Sequence, residues 1–243
     1  MPDPHTQANL LAELKKAGSD ALTFNAPLSL DRARSSIAFI GSSNPKFVVD
    51  FGCGTGSYIR LLIELSPTMQ GLGLDLDAEV IQKARACCLS QELKDRLVFE
   101  IADASQHGGT VDASICIGSA HVFGDAAAMF RRLAEIQPSG VAVVGDGVWM
   151  GAPDAWCLST FGDLPYGAEG LATIAVRYGW KVVEASISSL AEWDEFEFRW
   201  NRGVQAVGTD LAHTFAAQRA DEYQRYRGIL GFAWLHLVRE DGL

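Results

Sequence analysis

Apolar and polar positions along the chain follow two different periods. Compact apolar runs, of the kind found in buried parallel strands, alternate with stretches whose apolar residues have helical spacing. The predicted strands are 46–52, 70–77, 96–103, 111–119 and 140–149. The helices predicted between them are 57–66, 78–90 and 126–136. This alternation predicts right-handed crossovers and a parallel sheet with helices on both faces, which is a doubly wound α/β fold.

The segments on either side of this alternation are less regular. Residues 1–45 contain two stretches with helical spacing, joined by an irregular segment that is a candidate lid. Beyond residue 150, the pattern predicts a strand at 180–189, a mainly helical insert at 190–228 and a last strand at 230–240. An insert of this length between two strands is longer than most connections, and we expect it to cap a site.

Composition and charge narrow the class of protein. A chain of 243 residues with 48% hydrophobic residues suits one large domain, so we interpret residues 1–243 as a single domain. The net charge of −10 opposes binding to a phosphate backbone, so we expect no nucleic-acid partner. No apolar stretch is long enough for a membrane span, and we expect no signal peptide, because residues 1–10 lack a basic region followed by an apolar run. The five cysteines include no Cys-x-x-Cys pair, and we expect reduced thiols in a cytoplasmic protein.

A glycine-rich loop follows the first predicted strand. Residues 50–57 read DFGCGTGS, which is close to the G-x-G-x-x-G fingerprint of dinucleotide-binding proteins, except that Ser57 stands in place of the third glycine. The loop still allows a ligand to approach the backbone, and the helix that follows offers free N–H groups to an anion. Asp50, however, ends the strand beside the loop. A carboxylate at that position is unfavourable for a pyrophosphate and favourable for a cation.

Other polar residues collect at the carboxyl ends of the next predicted strands. Asp75 follows the second strand, Asp103 the third, and residues 118–121 the fourth. Ligands of open α/β sheets bind beyond these strand ends, near the point where the strand order reverses. We therefore expect one site at this edge of the sheet.

Four segments together resemble class I S-adenosylmethionine-dependent methyltransferases. They are VVDFGCGTG (48–56), GLDLD (73–77), IADA (101–104) and IQPSGVAVVGDG (136–147), the last with Ser139 in place of a glycine. The resemblance implies a Rossmann-like sheet of seven strands, mostly parallel with an antiparallel last strand, a place that residues 230–240 would fill. It also implies S-adenosyl-L-methionine as the cofactor.

The resemblance implies roles for particular residues. Asp75 is expected to hold both ribose hydroxyls and Asp103 to accept from the adenine amino group; the alternative for either acid is a helix cap or a turn. Cys53 is expected to be a small filler in the loop. The residues expected to bind the cofactor are Asp50, Gly52, Cys53, Gly54, Gly56, Asp75, Leu76, Ala102, Asp103, Ala104 and Gly118.

The part of the site that would bind the methyl acceptor is less well defined. His121, after the fourth strand, is the candidate catalytic residue, because an imidazole can take the proton of an acidic acceptor; the alternative is a histidine that bonds the loop or caps the next helix. Phe24, Asn25 and Trp149 are the other candidates for the substrate pocket, although buried packing would also explain them. The Asn/Asp-Pro-Pro-aromatic motif of enzymes that methylate exocyclic amines of bases is absent after the fourth strand.

The sequence therefore predicts a methyltransferase that moves a methyl group to an O, N or S atom of a small molecule. A protein that binds the cofactor without turnover is an alternative, as is an NAD(P)-dependent oxidoreductase, which the loop spacing and the lack of a Tyr-x-x-x-Lys pair disfavour. No His-x-x-x-His pair or separate carboxylate cluster suggests a metal. The oligomeric state stays open, and a homodimer is compatible with the sequence.

Overall fold

Seven strands form one sheet in the computed structural model, which describes residues 4–240. The strands are β1 (Phe47–Phe51), β2 (Gln70–Asp75), β3 (Leu97–Ile101), β4 (Ala113–Ile117), β5 (Gly140–Trp149), β6 (Lys181–Ile187) and β7 (Leu230–Arg239). Their order is β3-β2-β1-β4-β5-β7-β6. Strands β1 to β5 pair in parallel, whereas β7 is antiparallel to both β5 and β6. The predicted seven-stranded sheet with an antiparallel last strand is confirmed.

Ten α-helices connect the strands within the described residues. They are α1 (Pro4–Asp20), α2 (Leu30–Ser42), α3 (Ser57–Leu65), α4 (Ala78–Ala86), α5 (Gln91–Arg96), α6 (Ala126–Ile136), α7 (Ala155–Phe161), α8 (Gly167–Arg177), α9 (Leu190–Gln205) and α10 (Asp210–Tyr226). Two short 3₁₀ helices, Ala104–Gln106 and Ala120–Phe123, follow β3 and β4. None of the helices of residues 4–240 combines the length and the apolar character that a membrane-spanning helix needs.

The helices cover both faces of the sheet because neighbouring strand residues point to opposite sides. On β1, Val48 packs in an apolar cluster with Ile37 of α2 and Ile59 of α3. The next residue, Val49, belongs to a second cluster that contains Phe130 of α6. Continuous apolar runs such as that of β1 are therefore buried on both sides, as the sequence pattern indicates.

Between β5 and β6, the chain forms two helices, α7 and α8, to which the sequence pattern assigns no element. Helix α7 is only seven residues long, so it is too short to display a helical period. Helix α8 contains Gly167 and Gly170, and glycine has a low helix propensity. Tertiary packing stabilises α8, since Ala168, Leu171 and Ala175 are buried against the sheet.

The segment between β6 and β7 is helical, as predicted, and is bound firmly to α2. Arg32 of α2 donates from Nε to Glu192 Oε1 at 2.9 Å and from Nη2 to Glu192 Oε2 at 3.0 Å. Glu192 also accepts from the backbone N–H groups of Ser29 and Ser189. Burial opposes ionisation, but these hydrogen bonds prevail and lower the pKa of Glu192 to about 2.

Glu192→Gln is expected to destabilise the protein by about 2 kcal/mol at pH 7, because charge-assisted hydrogen bonds are lost. The pKa of Glu192 is lower in the folded state than its usual value, so its contribution is complete above about pH 4.5. The difference between the two proteins should therefore shrink as the pH falls toward 2. Urea unfolding at several pH values measures it.

Glu195→Gln on the same helix is the matched control, because the Glu195–Arg199 pair is exposed. We expect it to change the free energy of unfolding by less than about 0.5 kcal/mol. Equal losses in the two variants, or a loss in Glu192→Gln that does not change with pH, would contradict the assignment.

Candidate active site

The glycine loop lies between β1 and α3, at the carboxyl edge of the sheet. Gly52 has a φ of +76°, and a Cβ there would lie 2.3 Å from the hydroxyl oxygen of Ser119. Gly54 has a φ of +53°, but a Cβ there would meet no atom within 4 Å. Gly52 is thus required by packing within the protein, whereas Gly54 borders open space into which a ligand can come close to the backbone.

Backbone hydrogen bonds anchor the loop to the end of β2. The N–H groups of Gly52 and Cys53 both donate to the carbonyl of Leu74 at 2.9 Å. The N–H of Gly54 donates to Asp75 Oδ2 at 2.9 Å, and Asp75 Oδ1 accepts from the N–H of Asp77. Each oxygen of Asp75 keeps a free lone pair, so this side chain can still accept from two ligand hydroxyls.

A cavity of about 210 Å³ opens beside the loop, and we call it the cofactor cavity. Asp75 at the end of β2 and three segments line it: residues 23–28 before α2, the glycine loop with its flanks, and residues 117–121 at the end of β4. The predicted site residues that line it are Phe24, Asn25, Asp50, Gly52, Cys53, Gly54, Asp75, Gly118 and His121. The structure thus brings together residues that are almost a hundred positions apart in the sequence.

Asp50 is a buried carboxylate in the wall of this cavity, with 3% of its surface exposed. No group among residues 4–240 donates a hydrogen bond to its side chain. Burial, and next the negative charge of Asp75, raise the pKa of Asp50 to about 8. A buried acid without a partner is a candidate for binding a ligand that brings a positive charge.

Tyr58, in the first turn of α3, lines the same cavity and was not predicted. Its hydroxyl is buried beside Ser36 and forms no hydrogen bond of normal geometry. Burial, and to a smaller extent the charge of Asp50, raise the pKa of Tyr58. The hydroxyl of Ser36 opposes this rise, and the phenol is a neutral group enclosed beside it. The sequence carried no signal for it, because an aromatic residue in an amphipathic helix is usually packing.

The remaining predicted cofactor residues lie outside this cavity, along the ends of β2 and β3. Asp103 lies two residues beyond the end of β3, and the N–H of the preceding Ala102 donates to the carbonyl of Asp75 at the end of β2. Asp103 Oδ1 accepts from the N–H and the hydroxyl of Ser105, so it caps the short helix that begins at Ala104. Leu76 is 65% exposed next to them. Gly56 is the N-cap residue just before α3 and likewise does not line the cavity.

His121 lies at the mouth of the cavity, on the 3₁₀ helix that follows β4, and is exposed. Asp125, not His121, caps α6 by accepting from the N–H of Ala128 at 2.7 Å. Burial raises the pKa of nearby Asp146 of β5 to about 6, although the hydrogen bond from the Gly147 N–H and the proximity of His121 both oppose the rise. His121 thus faces the cavity without a capping role.

Two side chains, one just after β4 and one at the end of β5, differ from the expectations. Ser119, which sequence reasoning missed, lies within hydrogen-bonding distance of the carbonyls of Gly52 and Ile117 and joins β4 to the glycine loop. Trp149 is 1% exposed and packs edge-on to Phe161 at 6.2 Å between ring centroids. It does not line the cofactor cavity, and a contact with the substrate stays a prediction.

Among the described residues, this edge of the sheet has neither a reactive thiol nor a cluster of metal ligands. Burial raises the pKa of Cys53, so its side chain stays a neutral thiol in the loop. Among the residues that the structure describes, no three His, Cys, Asp or Glu side chains come together as a metal site would require.

Solved structures with the same fold include two S-adenosylmethionine-dependent methyltransferases in complex with S-adenosyl-L-homocysteine. The protein from Geobacter sulfurreducens is 22% identical, with a TM-score of 0.78 over 94% of this chain and 98% of that chain. The protein from Thiobacillus denitrificans is 21% identical, with a TM-score of 0.77 over 92% of this chain and 97% of that chain. The fold is therefore that of the class I methyltransferases.

Residues 48–140 match the family model described as a methyltransferase domain. This part of the chain, which carries the glycine loop and both strand-end acids, is thus similar to a methyltransferase domain. An uncharacterized protein from Synechococcus sp. is 28% identical over 115 residues, or 44% of this chain. The match covers only 28% of the length of that curated relative.

Asp50→Asn is expected to stabilise the cofactor-free protein. Asp50 holds its proton in the folded state up to about pH 8 but loses it near pH 4 when unfolded, so wild-type stability falls as the pH rises between these values. The slope from this group approaches about 1.4 kcal/mol per pH unit. The advantage of the Asn variant should therefore grow from pH 4 to pH 8, as measured by urea unfolding.

Asp95→Asn serves as the control, because Asp95 is exposed in α5, at the opposite end of β3. Its effect should be small and independent of pH over the same range. An Asp50→Asn protein that is less stable than the wild type at pH 8 would contradict this prediction. It would show that the buried carboxylate is ionised and is stabilised by other groups of the protein.

Proposed function

We propose that this protein transfers a methyl group from S-adenosyl-L-methionine to an O, N or S atom of a small molecule. The observation that carries the proposal is the buried, unpaired carboxylate of Asp50 in a cavity formed by the glycine loop. The methyltransferase family match over residues 48–140 supports the reaction class. The two neighbours in complex with S-adenosyl-L-homocysteine support the choice of cofactor.

The chemistry of the cavity fits the methionine end and the ribose of this cofactor. Asp50 would accept from the ammonium group. The open space at Gly54 would allow the ligand to lie against the backbone. Asp75 would accept from the ribose hydroxyls through its free lone pairs, and Asp103 Oδ2 would accept from the adenine amino group.

When bound, the cofactor supplies a methyl group on a sulfonium sulfur, and the acceptor atom bonds to the methyl carbon as the carbon–sulfur bond breaks and its electron pair stays on sulfur. The residues of this chain orient the two reactants, and orientation alone supplies much of the rate of such a displacement. His121 at the mouth of the cavity would take the proton that the acceptor releases. Phe24 and Asn25 would close the cavity on the opposite side and keep water out.

The wild-type protein is expected to bind S-adenosyl-L-homocysteine more tightly as the pH rises from 6 to 8. Asp50 must lose its proton to accept from the ammonium group, so affinity should rise by nearly tenfold per pH unit below the pKa of about 8. Asp50→Asn should bind about 10- to 100-fold more weakly at pH 8, since it loses a charge-assisted hydrogen bond, and should show no such trend. Isothermal titration calorimetry measures both.

Asp95→Asn is the control for these titrations and should bind as the wild type does. NAD is the competing ligand, and tight NAD binding without binding of S-adenosyl-L-homocysteine would favour the oxidoreductase alternative instead. Wild-type affinity that does not vary between pH 6 and 8 would remove Asp50 from the ammonium site.

Methyl-labelled S-adenosyl-L-methionine added to metabolite extracts is expected to label one small molecule, which identifies the acceptor. With that acceptor, His121→Ala should lower kcat by about 10²- to 10⁴-fold if the imidazole takes the proton. Binding of S-adenosyl-L-homocysteine should not change, because the proposed role of His121 concerns the acceptor. Unchanged turnover would exclude a catalytic role, and no labelled product in any extract would favour a protein that binds the cofactor without turnover.

A further inference from the structure

A second cavity, of about 490 Å³, lies between α9 and the segment that leads into α2, and we call it the lid cavity. Side chains from residues 22–30 form one wall, and side chains from residues 191–199 of α9 form the other. Its volume is within the range, roughly 300–1,000 Å³, that is usual for sites that bind small molecules. The reaction described above assigns no ligand to this space.

The lid cavity shares part of its wall with the cofactor cavity. Thr23, Phe24, Ala26 and Leu28 line both. The ring of Phe24 stands edge-on to Tyr58 in the wall of the cofactor cavity, with 6.2 Å between the ring centroids. A molecule whose body lies in the lid cavity is therefore adjacent to the cofactor cavity, and its reactive end would extend past Phe24 to meet the cofactor at the short distance that methyl transfer needs.

Apolar side chains form most of the wall of the lid cavity, and part of their surface is open. Leu22, Phe24, Leu28 and Phe196 are only partly buried in the protein, and all four line the cavity. Leu30, in the first turn of α2, is 46% exposed at the same place. Apolar surface that is left in contact with water favours a ligand that covers it with hydrocarbon.

Each charged side chain in the wall of the lid cavity already has a partner of opposite sign. Glu192 accepts from Arg32, as described above, and Glu195 accepts from Arg199 Nε at 2.5 Å. The other polar side chains of the wall carry uncharged hydroxyl groups. A ligand with a net charge would therefore lose hydration against apolar side chains without gaining a free partner, which is unfavourable.

We propose that the methyl acceptor is an uncharged molecule with a mainly hydrocarbon body, which binds in the lid cavity with its reactive O, N or S atom directed past Phe24 into the cofactor cavity. This inference rests on the proposed methyl transfer for the reaction, whereas binding in the lid cavity does not depend on turnover. The acceptor atom bonds to the methyl carbon and gives its proton to His121, as in the transfer described above. The wall of the lid cavity thus selects for apolar acceptors over charged metabolites.

Nuclear magnetic resonance of protein labelled with ¹³C in its leucine methyl groups tests the lid cavity directly. The probe is octan-1-ol, which is uncharged and mainly hydrocarbon. We expect saturable shifts of the methyl signals of Leu22, Leu28 and Leu30, which line the cavity. The signals of Leu62 and Leu133 should not move, because both residues are fully buried in the main core.

Octanoate and octylammonium are the matched charged probes, because they carry the same hydrocarbon chain. Both should bind at least about tenfold more weakly than octan-1-ol, since their charges find no free partner in the wall. Absence of the leucine shifts at saturating octan-1-ol, or equal affinity for either charged probe, would overturn the proposal. Shifts that follow the protein concentration instead of the probe concentration would also overturn it, because a second copy of the chain would then cover the cavity.

Ala191→Trp is expected to weaken the binding of octan-1-ol by at least about tenfold, because the indole takes up part of the lid cavity. Ala191 does not line the cofactor cavity, so S-adenosyl-L-homocysteine should bind this variant as it binds the wild type. Ala217→Trp is the matched control, because Ala217 is exposed in α10 and does not line the lid cavity. Unchanged signals of Leu62 and Leu133 show that each variant is folded, and unchanged affinity for octan-1-ol in Ala191→Trp would contradict the site.

Methyl-labelled S-adenosyl-L-methionine, added to extracts that are divided into an organic-soluble and a water-soluble fraction, separates this inference from the proposed function. We expect label in the organic-soluble fraction, with at least about tenfold less in Ala191→Trp and no loss in Ala217→Trp. Label in the water-soluble fraction alone would overturn this inference and support the proposed function. No label in either fraction, together with the leucine shifts, would contradict the proposed function and leave the binding site supported.

Discussion

The buried carboxylate of Asp50 is the constraint on which the site depends. An acid that ends a central strand without a partner is unfavourable for folding, because burial disfavours its charge. The remaining structure holds it there: β1 is hydrogen-bonded on both sides, by β2 and β4, and the glycine loop is fastened to the end of β2. The buried acid lowers the stability of the folded protein at the position where it would contribute most to binding a ligand cation.

The order of the strands explains why this acid and the other polar groups meet. The chain reverses direction across the sheet between β1 and β4, so the connections after these two strands leave toward opposite sides and open a crevice. The glycine loop borders the crevice on one side, and Ser119 and His121 border it on the other. The hydrogen-bonding contact of Ser119 with the carbonyl of Gly52 fixes the width of the crevice where the reactants would meet.

The sequence predicts the sheet well and brings the candidate cofactor residues to the strand ends, because both follow from local rules. Apolar runs identify buried strands, and acids at strand ends are visible without any knowledge of packing. Helix α8 is different: its glycines lower its local helix propensity, and only burial against the sheet stabilises it. Tyr58 and the unpartnered indole of Trp193 also escape prediction, since whether a buried donor has an acceptor depends on neighbours that are distant in sequence.

The contact between α2 and α9 has a consequence for how the cavities can open. Residues 23–28 are held at their far end by the Arg32–Glu192 pair and by the Ser188 hydroxyl, which donates to the carbonyl of Pro27. At their near end, α1 packs so closely on α9 that a Cβ at Gly203 would lie 2.4 Å from the carbonyl oxygen of Ala17. Both ends of this segment are thus attached to α9 or to its start. A molecule that enters the cofactor cavity from that side therefore meets a segment that is anchored at both ends and is not a free loop.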